Sequence, residues 1–228
     1  MTIRNIIFDL DGTLIDSAPS ILESLEIALA SEGLAPRQNV GAHLIGPPLR
    51  STLARLAGPC PPEQLDRLCA AFMAHYDRAG YRASKPYPGA GDLLSELAKR
   101  GCKLFIATNK RSKPTRLILE HLEWHCHFSG VYSSDTFSQP AQSKAELLAH
   151  VLAKHALDKA STLYVGDRRE DLDAAHANCV LFYAAHWGYS DDMPAEYECK
   201  SPTLEPPLTA LGAMIIPLIP PSQAPNLT

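Results

Sequence analysis

The sequence lacks an apolar run long enough to cross a membrane, which needs roughly 18–20 residues. The longest candidate, residues 208–219, is shorter and contains Pro217. The pattern of a signal peptide is also missing, because Arg4 precedes only a short apolar stretch that runs into acidic residues. We therefore expect a cytoplasmic protein without a membrane partner.

Paired cysteines and excess positive charge are missing as well. The six cysteines include no Cys-x-x-Cys pair, so neither a disulfide framework nor oxidising surroundings are expected. Lys and Arg number 21 against 25 Asp and Glu, a net charge of −4 that disfavours nucleic acid as a partner. A hydrophobic content of 46% excludes disorder throughout the chain. With 228 residues, the chain suits one large domain or a domain with an insert.

Short apolar runs alternate with amphipathic segments along most of the chain. Strands are predicted at 3–10, 102–107, 130–133, 162–165 and 180–184, and helices at 89–100, 113–123, 144–155 and 169–178. Strands that alternate with helices imply a parallel sheet with right-handed crossovers. The fold class expected is therefore α/β, with a Rossmann-like parallel-sheet core.

Residues 17–82 show helical patterns and no convincing strand. Helices are predicted at 17–33 and 63–79, and a loop rich in Gly and Pro at 45–50 lies between them. We predict a discontinuous α/β core of residues 1–16 and 84–228, with an inserted α-helical cap of residues 17–83. A short helix is expected near residues 208–214.

Polar side chains follow three of the predicted strands. Asp9 and Asp11 end the first, Thr108 and Asn109 end the second, and Asp167 ends the strand near residue 165. Each has a simpler explanation as an Asp-Gly turn or a helix cap. Open parallel sheets, however, bind ligands at the carboxyl ends of their strands. The convergence of these groups at one edge therefore favours a functional site.

Asp9 and Asp11 have the spacing of a nucleophile and a general acid/base. A carboxylate can attack phosphorus to form an aspartyl phosphate. A second carboxyl can give the leaving oxygen its proton if it is still protonated, and a nearby like charge raises one pKa of such a pair. Gly12 allows the sharp turn that would bring Asp11 back over Asp9.

The heptapeptide of residues 8–14, Phe-Asp-Leu-Asp-Gly-Thr-Leu, resembles the signature of the haloacid dehalogenase superfamily in its phosphatase branch. The chain up to about residue 189 resembles the phosphoglycolate phosphatase-like members, which carry a helical cap. The resemblance implies that Asp9 is the nucleophile and Asp11 the acid/base. It also implies that the Thr108 hydroxyl and the Asn109 backbone N–H bind the phosphoryl group.

Lys144 is the candidate for the lysine that neutralises phosphate and nucleophile in this family. Ser143 and Glu146 have the spacing of a capping box, which places Lys144 in the first helical turn. A cation there opposes the helix dipole, and a bound phosphate would remove the conflict. A solvated lysine is the alternative, and Ala145 stands where the family often has proline.

The segment 166–171, Gly-Asp-Arg-Arg-Glu-Asp, matches the fourth motif of the family and implies a magnesium site. Asp9 and Asp167 would ligate Mg²⁺ directly, Asp11 through its backbone carbonyl, and Asp171 through water. The alternative is a helix cap by Asp167 and a surface acid. Arg168 stands where the family usually has a small hydroxyl residue.

Substrate choice is expected to reside in the cap. Arg50 follows the loop at 45–50, where a guanidinium could hold a substrate carboxylate, although a solvated arginine is equally consistent. The resemblance thus implies a Mg²⁺-dependent phosphatase for a small, phosphoglycolate-like phosphorylated metabolite. A phosphomutase of the same superfamily and an inactive binding module stay open. The oligomeric state is not predicted.

Overall fold

The structure is a computed structural model that describes residues 2–137, 141, 143–189, 193–194 and 207–219. The strands are β1 (Asn5–Phe8), β2 (Ile15–Asp16), β3 (Lys85–Pro86), β4 (Lys103–Thr108), β5 (Gly130–Ser133), β6 (Thr162–Gly166) and β7 (Leu181–Ala184). The helices are α1 (Ala18–Ser31), α2 (Leu49–Ala57), α3 (Pro62–Tyr76), α4 (Ala90–Lys99), α5 (Ser112–His121), α6 (Lys144–Lys154), α7 (Arg169–Asn178) and α8 (Pro207–Ile215).

Five parallel strands form the main sheet in the order β5-β4-β1-β6-β7. The central strand β1 places Phe8 opposite Ile106 of β4 and Val165 of β6. All four residues of β1 are buried, as expected for a parallel sheet with helices on both faces. The predicted α/β fold with a Rossmann-like core is confirmed.

The two faces of the sheet pack against different helices. Ile7 of β1 faces a cluster that contains Leu148 of α6 and Ala175 of α7. Its neighbours Ile6 and Phe8 face the opposite way, because side chains alternate along a strand. That second cluster contains residues of α4, α5 and α8 and continues into α1, α2 and α3. One continuous apolar core therefore joins the sheet to the helices that precede β3.

Helices α1, α2 and α3 all lie between β2 and β3 in the chain. β2 and β3 pair antiparallel, with Asp16 opposite Lys85, so the chain leaves the sheet and returns to it through one short ribbon. The sequence analysis did not predict this pairing. The boundaries of the helical cap at residues 17 and 83 stay a prediction.

The structure corrects the segment between α1 and α3. Sequence analysis assigned only the loop at 45–50 there, whereas Leu49–Ala57 forms α2. This helix buries Leu53, Leu56 and Ala57. Pro47 and Pro48 led the sequence analysis to assign a loop, because prolines are common in loops. Proline is, however, also well tolerated immediately before a helix and in its first turn.

The helix predicted near residues 208–214 is confirmed as α8. It buries Leu208, Leu211 and Ile215, and beyond it the Leu218 carbonyl accepts a hydrogen bond of 2.9 Å from the Ile3 N–H. Within the described residues, no helix is both long and apolar enough to cross a membrane. The five cysteines in the described part of the chain are free thiols.

Candidate active site

The carboxyl ends of β1, β4 and β6 meet at one edge of the sheet. The Asp9 N–H donates a 2.9 Å hydrogen bond to the Val165 carbonyl, so Asp9 is held immediately after β1. Thr108 ends β4, and Asp167 directly follows β6. All three residues are buried. Adjacent parallel strands thus bring together the side chains that the sequence placed at strand ends.

Three carboxylates form a compact cluster at this edge. One oxygen each from Asp9, Asp167 and Asp171 lies within 4.8 Å of the other two, and all three residues are buried. Burial raises the pKa of Asp9 to about 7, even though Lys144 lowers it. Burial also raises the pKa of Asp167, to which the charge of Asp9 adds. A divalent cation beside Asp9 and Asp167 would favour the ionised form of both carboxyls.

The backbone around Asp167 leaves room for its carboxylate and little else. Gly12 has φ +83°, and a Cβ at that position would overlap the Asp167 carboxylate. A Cβ at Gly188 would overlap Asp167 and the Gly12 carbonyl oxygen. The two glycines let the backbone approach Asp167 closely from two sides. Carboxylate oxygens beside backbone carbonyls are the hard ligands that suit Mg²⁺.

Lys144 is buried between two of the acids. Its Nζ lies 2.8 Å from Asp9 Oδ1 and 3.0 Å from Asp171 Oδ1. Burial alone would lower the pKa of Lys144, but the charges of Asp171 and Asp9 outweigh it and raise that pKa. Ser143 Oγ accepts a 3.2 Å hydrogen bond from the Glu146 N–H, as the capping pattern predicted. Lys144 is therefore an ammonium ion next to the proposed nucleophile, not a solvated lysine.

Asp171 has partners on both of its carboxylate oxygens. Oδ1 accepts a 2.7 Å hydrogen bond from the Tyr164 hydroxyl in addition to its contact with Lys144, and Oδ2 accepts from the Arg168 N–H at 3.0 Å. These contacts occupy the oxygens that a directly ligating carboxylate would offer. That Asp171 would reach a metal through water stays a prediction.

Asp11 is held by a residue to which the sequence analysis assigned no role. Lys110 Nζ lies 3.0 Å from each carboxylate oxygen of Asp11 and 2.8 Å from the Tyr76 hydroxyl of α3. Ser17 Oγ also donates to Asp11, at 2.5 Å. The only sequence signal was position, because Lys110 follows Thr108 and Asn109 directly.

Thr108 and Asn109 occupy different surroundings. Thr108 is buried, and its hydroxyl accepts a 3.3 Å hydrogen bond from the Lys110 N–H. The Asn109 side chain donates to Glu170 Oε1 at 2.8 Å and to the Gly46 carbonyl at 3.4 Å. Both residues line the cavity described below, and Asn109 also connects α7 to the loop before α2.

The structure does not bring Arg50 to the site. Its guanidinium pairs with Asp66, and the two side chains are 53% and 64% exposed. The cavity is lined by the neighbouring Leu49 instead. The expectation that Arg50 holds a substrate carboxylate is therefore unsupported, because residues 49–57 form a helix that directs Arg50 outward.

Arg168 is an unexpected bridge between the core and the helical segment. Its Nη2 donates to the carbonyls of Ala42 and Ile45, at 2.8 and 2.5 Å, and Nη1 donates to the Tyr189 carbonyl at 3.2 Å. The sequence analysis noted only that Arg168 replaces the small hydroxyl residue usual in the family, and it assigned no contact to this side chain. A small hydroxyl residue could not span this distance, so Arg168 connects the segment after β6 to the loop before α2.

The segment 187–189 closes the side of the site next to Asp167. The Tyr189 N–H donates to Asp167 Oδ2 at 2.8 Å, and the Tyr189 hydroxyl donates to Asp16 Oδ1 at 2.9 Å and accepts from the Ser17 N–H at 2.7 Å. Trp187 Nε1 donates to the Thr13 carbonyl at 2.9 Å. These bonds connect the chain between β1 and α1 to the segment after β7.

A cavity of about 100 Å³ lies over the strand ends. Its core wall, as we call it, contains the polar and charged residues Asp11, Thr108, Asn109, Lys110, Arg111, Lys144 and Glu170. Its helical wall contains mostly apolar side chains, those of Ile21, Leu25, Leu44, Leu49, Phe72 and Tyr76, together with Thr52. A small ligand in this cavity would therefore contact charged groups on one side and apolar groups on the other.

Comparison with known proteins agrees with this arrangement. A family model described as haloacid dehalogenase-like hydrolase matches residues 6–185. A phosphoglycolate phosphatase of Mesorhizobium japonicum is 33% identical over 199 residues, which cover 85% of this chain and 87% of that protein. A haloacid dehalogenase-like hydrolase structure from Streptococcus pneumoniae superimposes with a TM-score of 0.77 at 26% identity, covering 93% and 98% of the two chains.

Another relative carries a different name. The tyrosine-protein kinase PtkA of Mycobacterium tuberculosis is 34% identical over 185 residues, which cover 81% of this chain but only 62% of that protein. This chain thus matches less than two thirds of that longer relative. Taken with the fold and the four acids, the comparisons show that the chain belongs to the haloacid dehalogenase-like hydrolases.

Proposed function

We propose that the protein is a Mg²⁺-dependent phosphomonoester hydrolase that acts on a small phosphorylated metabolite through an aspartyl-phosphate intermediate. The observation that carries the proposal is Asp9. Its carboxylate lies at the end of the central strand, 2.8 Å from the Lys144 ammonium, and Asp11 follows two residues later beside the cavity. Buried nucleophile, fixed cation and second carboxyl are the groups that phosphoryl transfer requires.

In the first step the Asp9 carboxylate attacks phosphorus. A bond forms between the Asp9 oxygen and phosphorus, the ester bond breaks, and Asp11 gives its proton to the leaving oxygen. Lys144 and the Thr108 hydroxyl stabilise the charge that builds up on the phosphoryl oxygens. Asp171 holds Lys144 in place from the other side.

In the second step water attacks the aspartyl phosphate. Asp11, now ionised, accepts a proton from that water, and the departing phosphate regenerates the Asp9 carboxylate. Asp9, Asp167 and the Asp11 backbone carbonyl would hold Mg²⁺, which when bound neutralises negative charge on the phosphate. The helical wall excludes bulk water from the reacting atoms.

A phosphate-release assay tests the proposal. Purified protein is incubated with a panel of phosphate monoesters, including 2-phosphoglycolate because of the similar phosphatases, with Mg²⁺ or with EDTA. We expect free phosphate only with Mg²⁺, and mass spectrometry of the rapidly quenched enzyme should find one phosphoryl group on Asp9. A phosphoryl group that moves to another organic hydroxyl without free phosphate would show a mutase or other transferase instead.

A further inference from the structure

We infer that the cavity selects phosphate monoesters whose organic part is short, uncharged and apolar, in preference to esters that carry a carboxylate. This inference rests on the proposed phosphatase function and names its substrate class. The observation behind it is the contrast between the two walls. The core wall supplies what a phosphoryl group needs, and the helical wall determines what else fits.

The helical wall offers apolar surface to the organic part of a substrate. Leu25 and Leu44 are almost fully buried, and Phe72 stacks on Tyr76 with ring centroids 5.5 Å apart and planes 13° apart. The two polar groups on this side already have partners. The Thr52 hydroxyl donates to the Leu44 carbonyl at 3.4 Å, and the Tyr76 hydroxyl accepts from Lys110.

Each cation among the described residues that line the cavity already faces a carboxylate. Lys144 lies between Asp9 and Asp171, and Lys110 binds both oxygens of Asp11. The third cation, Arg111, makes two hydrogen bonds to Asp77, at 2.6 and 3.2 Å. A substrate carboxylate would have to displace one of these partners.

The cavity also carries negative charge that a substrate carboxylate would meet. The carboxylate of Glu170 lines it beside the site that the phosphoryl group would occupy. A further anion there would lose its hydration without gaining a free cation, which is unfavourable. An apolar group would instead bury its surface against the helical wall, which is favourable.

The size of the cavity is consistent with a small organic group. The phosphoryl group would take up part of the 100 Å³, so only a short organic group fits beside it.

The test compares two substrates that differ only at the end remote from phosphorus. Butyl phosphate and 4-(phosphonooxy)butanoate share chain length and a primary alkoxide leaving group, so differences in leaving-group acidity are small. We expect kcat/KM to be at least tenfold higher for butyl phosphate. Equal values, or a preference for the carboxylate, would overturn the inference while leaving the phosphatase function intact.

Binding provides a readout that does not depend on turnover. Calorimetry with the non-hydrolysable pentylphosphonate and 5-phosphonopentanoate should show tighter binding of the first by at least tenfold. If the wild-type protein with Mg²⁺ hydrolyses neither these two esters nor any member of the panel above, the proposed function fails. The phosphonate comparison still decides the selectivity of the cavity in that case.

Two variants on one helix provide a matched control. Ile21→Lys introduces an ammonium group into the helical wall and should reduce or reverse the preference for butyl phosphate. Ile27→Lys introduces the same charge on an exposed position of α1 and should leave the preference unchanged. Should the wild type prefer the carboxylate and Arg111→Ala abolish that preference, Arg111 would be the carboxylate anchor and the inference would be wrong.

Discussion

The core wall and the helical wall enclose the same cavity but differ in their chemistry. On the core wall, Lys144 and Lys110 are buried ammonium groups, each in contact with an aspartate. Across the cavity, Leu25 and Phe72 present buried hydrocarbon. The difference separates two tasks, because paired charges can stabilise a phosphoryl group, whereas hydrocarbon discriminates among the groups attached to it. Changes to the core wall should therefore affect every substrate, and changes to the helical wall only some.

The largest effect is expected at Asp9. Asp9→Asn should reduce turnover of every substrate below a few per cent of the wild-type rate, because an amide cannot form the acyl phosphate. The change keeps the size of the side chain, so circular dichroism and the melting temperature should show a folded protein. Substantial activity in verified, folded Asp9→Asn would mean that another group attacks phosphorus.

Metal dependence should separate the acids within the cluster. EDTA should abolish activity and Mg²⁺ restore it, while Ca²⁺ should bind but support little turnover because its looser coordination misplaces the attacking carboxylate. Asp167→Ala should raise the Mg²⁺ concentration needed for half-maximal activity more than Asp171→Ala does. Calorimetric titration with Mg²⁺ measures the same difference without turnover. A larger loss of affinity in Asp171→Ala would show that Asp171 ligates the metal directly.

Lys110 connects the two walls, because its ammonium group contacts Asp11 of the core wall and Tyr76 of the helical wall. A variant at Lys110 therefore tests whether this connection affects catalysis. Lys110→Met should lower kcat by roughly 10–100-fold, as expected from the loss of a charge-assisted hydrogen bond. If Lys110 positions Asp11 as proton donor, the loss is larger for butyl phosphate than for 4-nitrophenyl phosphate, whose leaving group needs no proton. Lys110→Arg should recover part of the activity. Equal losses on both substrates would indicate that Lys110 binds the phosphoryl group itself.

The acidic cluster should make the stability of the metal-free protein depend on pH. Because burial raises the pKa of Asp9 from 3.8 to about 7, the folded state favours its neutral form. This contribution to stability is complete below pH 3.8 and is lost as the pH rises to about 7. The increase in melting temperature caused by Mg²⁺ should therefore grow between pH 5 and pH 7. The same series with Asp9→Asn should show a weaker pH dependence, and identical curves would contradict this origin.

The smallest effect is expected at Arg50. Arg50→Ala should change kcat/KM less than about twofold for both butyl phosphate and 4-(phosphonooxy)butanoate, because an exposed ion pair contributes little. A loss confined to the carboxylated substrate would restore the original expectation that Arg50 anchors a carboxylate. It would also imply that α2 moves when substrate binds.

The polar residues at the strand ends were accessible from the sequence because local features place them. Asp9 and Asp167 directly follow strands and Thr108 ends one, and adjacent parallel strands end at the same edge. The Ser143 cap determines where α6 begins and thus where Lys144 emerges. Arg168, in contrast, contacts Ala42 and Ile45, which are more than a hundred positions away in the chain, and no local pattern reports such a contact.

The sequence by itself determined the alternation of strands and helices in the α/β core, and with it the edge at which the acids meet. Only the tertiary structure decided which side chains form the helical wall and which partners the charged ends of Arg50 and Lys110 contact. Arg50 lies on a helix whose rotation is set by burying Leu53 and Leu56, and this rotation directs the guanidinium toward Asp66. Lys110 contacts Asp11 and also the Tyr76 hydroxyl of α3, a residue 34 positions away in the chain. Backbone hydrogen bonds and apolar periodicity are local and visible in sequence, whereas the orientation of a helix depends on the whole surface against which it packs.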